Sequence, residues 1–227
     1  MSEFTRDELV ALAFLAELSE QYGEAIEYMK QVVKMGTPLN RDERHIIIDS
    51  FTRLKFPLFK SWYYANEMKN EKTKRHLDEK NRAKFNEISD EIFELLDSQQ
   101  IKKDERVEAV IEYKAFRAVL HSDKAKFAEG KQIVKKIKKA FEAFEEAWKI
   151  AKESLKAAHP IRLSLAREFA SFLKCTDNLS EAVTMLTEAQ GKALPLLPDL
   201  SGDLKDEVEK ELKKIKEAID EYSSEEK

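Results

Sequence analysis

The chain has 227 residues, 40 of them Lys or Arg and 44 Asp or Glu, for a net charge of −4. Charged residues reach 37% while hydrophobic residues still supply 42%, which excludes a compositionally disordered chain and describes a core under a heavily solvated surface. Only 5 Gly and 5 Pro are present, and the stretch 58–129 holds neither, which excludes a fold of many short strands and points to long helices. Basic and acidic residues are interleaved rather than blocked, so no broad positive field for nucleic acid is expected. Cys175 is the only cysteine, so there is no disulfide framework and no Cys-based zinc site. The acidic start Met1, Ser2, Glu3 does not read as a signal peptide, and no apolar run approaches the roughly 18 residues of a membrane span. A soluble protein of a reducing, cytoplasmic compartment is the expectation, with no membrane partner.

In chain order, Thr5 followed by Glu8 forms a capping box, and Leu9, Leu12, Ala13 and Ala16 continue at helical spacing. Gly23 separates this first helix from a second, Glu24 to about Met35, closed by Gly36 and Pro38. Asn40 with Glu43 opens a third helix whose Phe51, Leu54, Leu58, Trp62 and Ala65 mark one buried stripe, with Pro57 expected to kink or locally distort it. The charged stretch Asn70 to Lys84 reads as a solvated hairpin, after which Phe85, Ile88, Ile92 and Leu95 give a fourth helix. A fifth is expected from about Asp104 to Leu120, a sixth from about Lys124 to Lys156, and a seventh from Pro160 after His159. Asp177 and Asn178 precede an eighth helix to about Leu194, and the breaks at Pro195 and Pro198 lead to a ninth ending near Tyr222. The expected architecture is all-α, with nine antiparallel helices. Tyr22 to Met29 (YGEAIEYM) has the look of a tetratricopeptide second helix, but no period near 34 residues recurs.

Several segments carry a family resemblance: Glu8 to Met29 (ELVALAFLAELSEQYGEAIEYM), Arg41 to Trp62 ending in KSW, Glu94 to Asp97 (ELLD), Phe116 to Arg117, and His159 to Leu163 (HPIRL). In order and spacing they resemble the 14-3-3 family from about residue 8 to 194, HPIRLSLA being the most specific. The last helix resembles the family only in position and length. The resemblance implies one tetratricopeptide-related helical domain over residues 1–227 with a concave groove for phosphoserine or phosphothreonine peptides. The arrangement of residues 190–227 stays open. It also implies protein partners, an adaptor or scaffold role, no cofactor, and a homodimer or a heterodimer with another 14-3-3 protein.

In the family a Lys and an Arg on the third helix, with an Arg and a following Tyr on the fifth, hold the phosphate; the matching positions here are Thr52, Phe59, Arg117 and Ala118. Only the arginine survives. A further family Lys matches Val110, a third-helix Arg matches Tyr63, and the seventh-helix Asn matches Glu168, with Arg167 and Ser171 beside it. Each charge-assisted bond to a phosphate is worth about 1.5–3 kcal/mol, so losing two costs about 3–6 kcal/mol, or roughly two to four decades of affinity. Phosphate recognition should be weakened or lost, and Glu168 adds repulsion or pairs with Arg117. Lys114 and His121 share a helical stripe with Arg117, and Lys55 and Lys60 flank Phe59, so a relocated anion site and ordinary solvated lysines are both open. Thr52, Phe56, Phe59 and Tyr63 recur at helical spacing; this stripe either holds an apolar peptide anchor or closes the groove, which would leave a structural or regulatory dimerisation subunit.

For dimerisation the matching apolar positions are Leu15, Ser19, Ala65, Met68 and Leu77, and Glu24 with Lys80 matches an interprotomer salt bridge. No catalytic constellation is present: His45, His76, His121 and His159 form no HExxH or metal-ligand spacing, and Cys175 is expected to be a buried structural thiol. The basic run Lys131, Lys135, Lys136, Lys138, Lys139 reads as a solvated helix face bracketed by Glu129, Glu142, Glu145 and Glu146.

Overall fold

The computed structural model describes residues 4–98 and 106–225, with nine α-helices and no strand among the described residues. The helices are α1 (Arg6–Leu18), α2 (Tyr22–Lys34), α3 (Arg41–Glu67), α4 (Glu71–Leu96), α5 (Val107–Lys126), α6 (Lys131–Ser154), α7 (Pro160–Cys175), α8 (Leu179–Ala193) and α9 (Gly202–Glu225). The chain divides into two compact units, residues 1–105 and 106–227.

In the first unit the capping boxes form as the sequence requires, Thr5 with Glu8 on α1 and Asn40 with Glu43 on α3. Glu43 does a second job. Its carboxylate accepts from Arg6 Nη1 and Nη2 at 2.6 and 2.7 Å, a paired bond joining the start of α1 to the start of α3, with the Glu43 residue only 2% exposed. Leu9, Ala13, Ile26, Met29, Val32, Phe51, Phe85 and Ile92 fill the core of this unit. Lys30 reaches Glu91 at 2.8 Å and ties α2 to α4.

One sequence expectation is corrected in this unit. Residues 71–84 are the first half of α4 and no hairpin: Asn70 Oδ1 accepts from the Thr73 N–H at 3.1 Å and caps the helix. The polar residues of this stretch hold α4 to α3, Asp78 accepting from Trp62 Nε1 at 3.0 Å and Asn81 Nδ2 donating to Ser61 Oγ at 3.0 Å. Pro57 lies inside α3, as the sequence places it, and removes one backbone donor, while the helix runs on as one element to Glu67.

In the second unit α5 and α6 pair closely across a turn at Phe127–Gly130, where Gly130 has φ 52. Lys124, the expected start of the sixth helix, lies in α5 instead; the pattern alone does not show the turn because Phe127, 3% exposed, continues the apolar residues into the core. The expected start of the fifth helix, Asp104, lies outside the described residues. Phe141, Phe144, Phe169 and Phe172 form an aromatic cluster between α6 and α7, with Phe144 stacked on Phe169 at 5.1 Å. Pro195 and Pro198 fall in a 3-10 segment, Leu194–Asp199, rather than a plain break. α9 then packs on α7 and α8. Lys174 Nζ clasps Glu221 and Glu225 at 2.7 and 2.8 Å and lies 4.4 Å from the Tyr222 ring centroid.

Candidate functional site

On α3 the positions 52, 56, 59 and 63 share one stripe. The Thr52 hydroxyl donates to the Ile48 carbonyl at 2.8 Å and is occupied by its own helix. Phe59 is half-buried, its ring 5.4 Å from Phe85, which also meets Phe51 at 6.3 Å. Phe56 and Tyr63 stand 67% and 60% exposed, Tyr63 edge-on to Tyr64 at 5.8 Å. Lys55 Nζ lies 5.6 Å from the Phe51 ring centroid, and Lys60 is exposed. Phe59 therefore belongs to the α3–α4 seam, while Phe56 and Tyr63 offer aromatic surface.

In the second unit Arg117 is half-buried on α5, and Ala118 is wholly buried, so a ligand cannot reach it. Val110 is half-buried. Lys114 Nζ pairs with Glu146 of α6 at 2.8 Å, which balances its charge and removes it as the natural replacement cation. On α7, Arg167 Nε meets Glu211 of α9 at 3.4 Å, and Ser171 hydrogen-bonds the Tyr222 hydroxyl. Glu168 Oε1 accepts from the Ser164 hydroxyl at 3.5 Å. Arg167 and Ser171 thus serve the α7–α9 contact.

His121 reveals where positive potential concentrates instead. Burial, then Lys136, Lys139, Arg117 and Lys124, push its imidazole down to about 4. The helical stripe joined His121 to Arg117, but the α6 lysines come near only through the α5–α6 pairing, which no local pattern announces.

The HPIRL segment proves to be a junction. His159 Nδ1 accepts from the Ile161 N–H at 3.3 Å as the cap of α7, and its Nε2 lies 3.1 Å from Glu108 Oε1 at the start of α5. Arg162 Nη1 donates to the Leu155 carbonyl at 2.8 Å, and its guanidinium lies 5.8 Å from the Trp148 ring centroid. Burial holds the Arg162 pKa below its ordinary value. Cys175 is exposed at the end of α7, which corrects the expectation of a buried thiol.

Among the positions matched to a dimer interface, Leu15 is 57% exposed, Met68 is exposed, Leu77 half-buried, and Ser19, Glu24 and Lys80 exposed. Ala65 is 1% exposed within its own unit and has no surface to offer, as its place in the buried α3 stripe required. Phe14 and Leu18 extend the exposed apolar face of α1 beside Leu15. The sequence signal for them was an apolar pattern on α1 wider than one buried face.

Among the described residues no group of three or more His, Cys, Asp or Glu could hold a metal ion, and no helix is long and apolar enough to cross a membrane. The elements define an all-α protein of closely packed helical pairs. A 14-3-3 protein family model matches residues 12–222. The chain is 29% identical over 207 residues to 14-3-3 protein 2 of Entamoeba histolytica, covering 86% of this chain and 87% of that protein. It is 27% identical over 212 residues to human 14-3-3 protein eta, covering 87% and 86%. Against Protein BMH2 of Saccharomyces cerevisiae it is 30% identical over 179 residues, covering 74% of this chain and 66% of that protein. The chain belongs to the 14-3-3 family. Membership makes it a partner-binding adaptor and not an enzyme.

Proposed function

We propose that this chain is a cytoplasmic 14-3-3 adaptor, one domain over residues 1–227, whose groove binds protein or peptide partners with little or no dependence on phosphate. The observation that carries this is the α3 face. The two third-helix cations of the family are replaced by Thr52, whose hydroxyl is bonded to its own helix, and by Phe59, packed on Phe85, while Phe56 and Tyr63 remain exposed. Exposed rings favour an apolar peptide anchor over a groove closed by its own aromatics, so the adaptor reading stands ahead of the structural-subunit reading. The occupied Lys114 adds to the case against a rebuilt phosphate pocket. The exposed lone cysteine suits a reducing compartment.

Dimerisation through the α1 face belongs to the same proposal. Phe14, Leu15 and Leu18 are half or more exposed on one short helix, an apolar patch that a second protomer would cover. Glu24 and Lys80, both exposed, are the proposed interprotomer pair.

The test is calorimetric titration with two peptides of one sequence, phosphorylated at serine and unphosphorylated. Equal binding of both, lost in Phe56→Ser/Tyr63→Ser, is the expected result. Binding of the phosphopeptide alone, abolished by Arg117→Gln, would overturn the proposal and restore the family's phosphate function.

A further inference from the structure

We infer that the α5–α6 end of the second unit is a docking surface for an anionic lipid membrane. Between residues 117 and 139 the chain places eight Lys or Arg against two acids, although its net charge is −4. One of the two acids, Asp123, is 4% exposed and pairs with Lys126 at 3.2 Å, so it takes little from the outward field. Of the acids downstream of the run, Glu142 pairs with Lys138 at 3.7 Å and Glu146 with Lys114 at 2.8 Å, while Glu145 is exposed. Glu129 stands at the turn itself.

Two layers of positive charge result. Lys131, Lys135, Lys138 and Lys139 are exposed on α6, and Arg117, Lys124 and Lys136 stand half-buried behind them around His121. On the outer stripe formed by positions 131, 134, 135 and 138, Val134 is 69% exposed, and neighbouring Ile133 is 37% exposed. An aliphatic side chain amid lysines matches an interface that offers hydrocarbon below and anionic headgroups beside it. Phe127, the aromatic residue at this turn, is 3% exposed and unavailable for stacking on bases, which disfavours single-stranded nucleic acid as the occupant. This surface lies apart in sequence from Phe56 and Tyr63 of α3, so it neither requires nor excludes the proposed peptide function.

The experiment is sedimentation of the full chain with phosphatidylcholine vesicles, with and without phosphatidylserine. Binding only to the phosphatidylserine vesicles, weakening steeply with added salt, is expected. Each of Lys135→Gln and Lys138→Gln should lower the partition coefficient about fivefold, following the usual lysine contribution near an anionic surface. Val134→Ser should lower it further, while Lys192→Gln/Lys213→Gln, on α8 and α9, should leave it unchanged. Circular dichroism confirms that each variant is folded. The inference is overturned by absence of binding, by equal binding to both vesicle types, or by Lys135→Gln/Lys138→Gln binding as wild type. It is equally overturned if an RNA oligonucleotide or a phosphopeptide binds this face and vesicles do not.

Discussion

His121 makes the stability of the second unit depend on pH in a direction the structure fixes. Its folded pKa is about 4, held down first by burial and then by Lys136, Lys139, Arg117 and Lys124, against about 6.5 in an unfolded chain. Between those values the unfolded state binds the proton and the folded state does not, so the stabilising contribution is full above pH 6.5 and is lost as pH falls toward 4. For a fully sheltered group the loss between pH 7 and pH 5 would be about 2 kcal/mol. His121 is only half-buried, and solvent screening reduces the expected loss to about 1 kcal/mol. Carboxylates titrate over part of the same range, so the informative quantity is the difference between wild type and His121→Gln, from urea midpoints at pH 7 and pH 5. Wild type should lose about 1 kcal/mol more than the variant. In Lys136→Gln/Lys139→Gln the imidazole pKa, followed by NMR, should rise. An imidazole titrating between 6 and 7 in the folded wild type, or equal losses in both proteins, would refute the reasoning and with it the concentration of charge at the α5–α6 seam.

Glu43→Ala removes the α3 capping box and strands Arg6, and should destabilise the first unit by about 3 kcal/mol, read as a lower urea midpoint at unchanged slope; a loss under about 0.5 kcal/mol would mean that the paired bond is solvated and weak. Leu15→Asp/Leu18→Asp should shift a dimer to monomer in sedimentation velocity while leaving the helical circular dichroism spectrum unchanged, because both side chains are already exposed within the protomer; a variant that stays dimeric would place the interface elsewhere.

What the sequence announced, and what it hid, divides along the range of the interactions involved. The starts of α1, α3 and α7 were legible because Thr5 with Glu8, Asn40 with Glu43, and Pro160 act within one helical turn. The first half of α4 was not, because the polarity of Asp78 and Asn81 serves Trp62 and Ser61 on another helix, and a solvated loop has the same composition. The α5–α6 turn was blurred for the opposite reason, an apolar Phe127 that the core needed at a non-helical position. At the candidate site, the absence of cations at Thr52 and Phe59 is a matter of residue identity and needs no fold. The ion pair of Lys114 with Glu146 and the field on His121 both depend on α6 lying against α5, and residue spacing alone does not encode that.

These two surfaces differ in the force that would recruit a ligand, and this gives a way to assign any partner once it is found. The α3 face offers aromatic area without the family's cations, so attachment there draws on the removal of apolar surface from water and should survive added salt. The α5–α6 end offers clustered charge around a small aliphatic tip, so attachment there should fade as the Debye length shrinks from about 10 Å at 0.1 M to about 3 Å at 1 M. A partner retained at high salt and released by Phe56→Ser/Tyr63→Ser belongs to the first face, and one released by salt and by Lys135→Gln/Lys138→Gln belongs to the second. A partner that responds to both sets engages both faces, and its salt dependence then measures the share carried by charge.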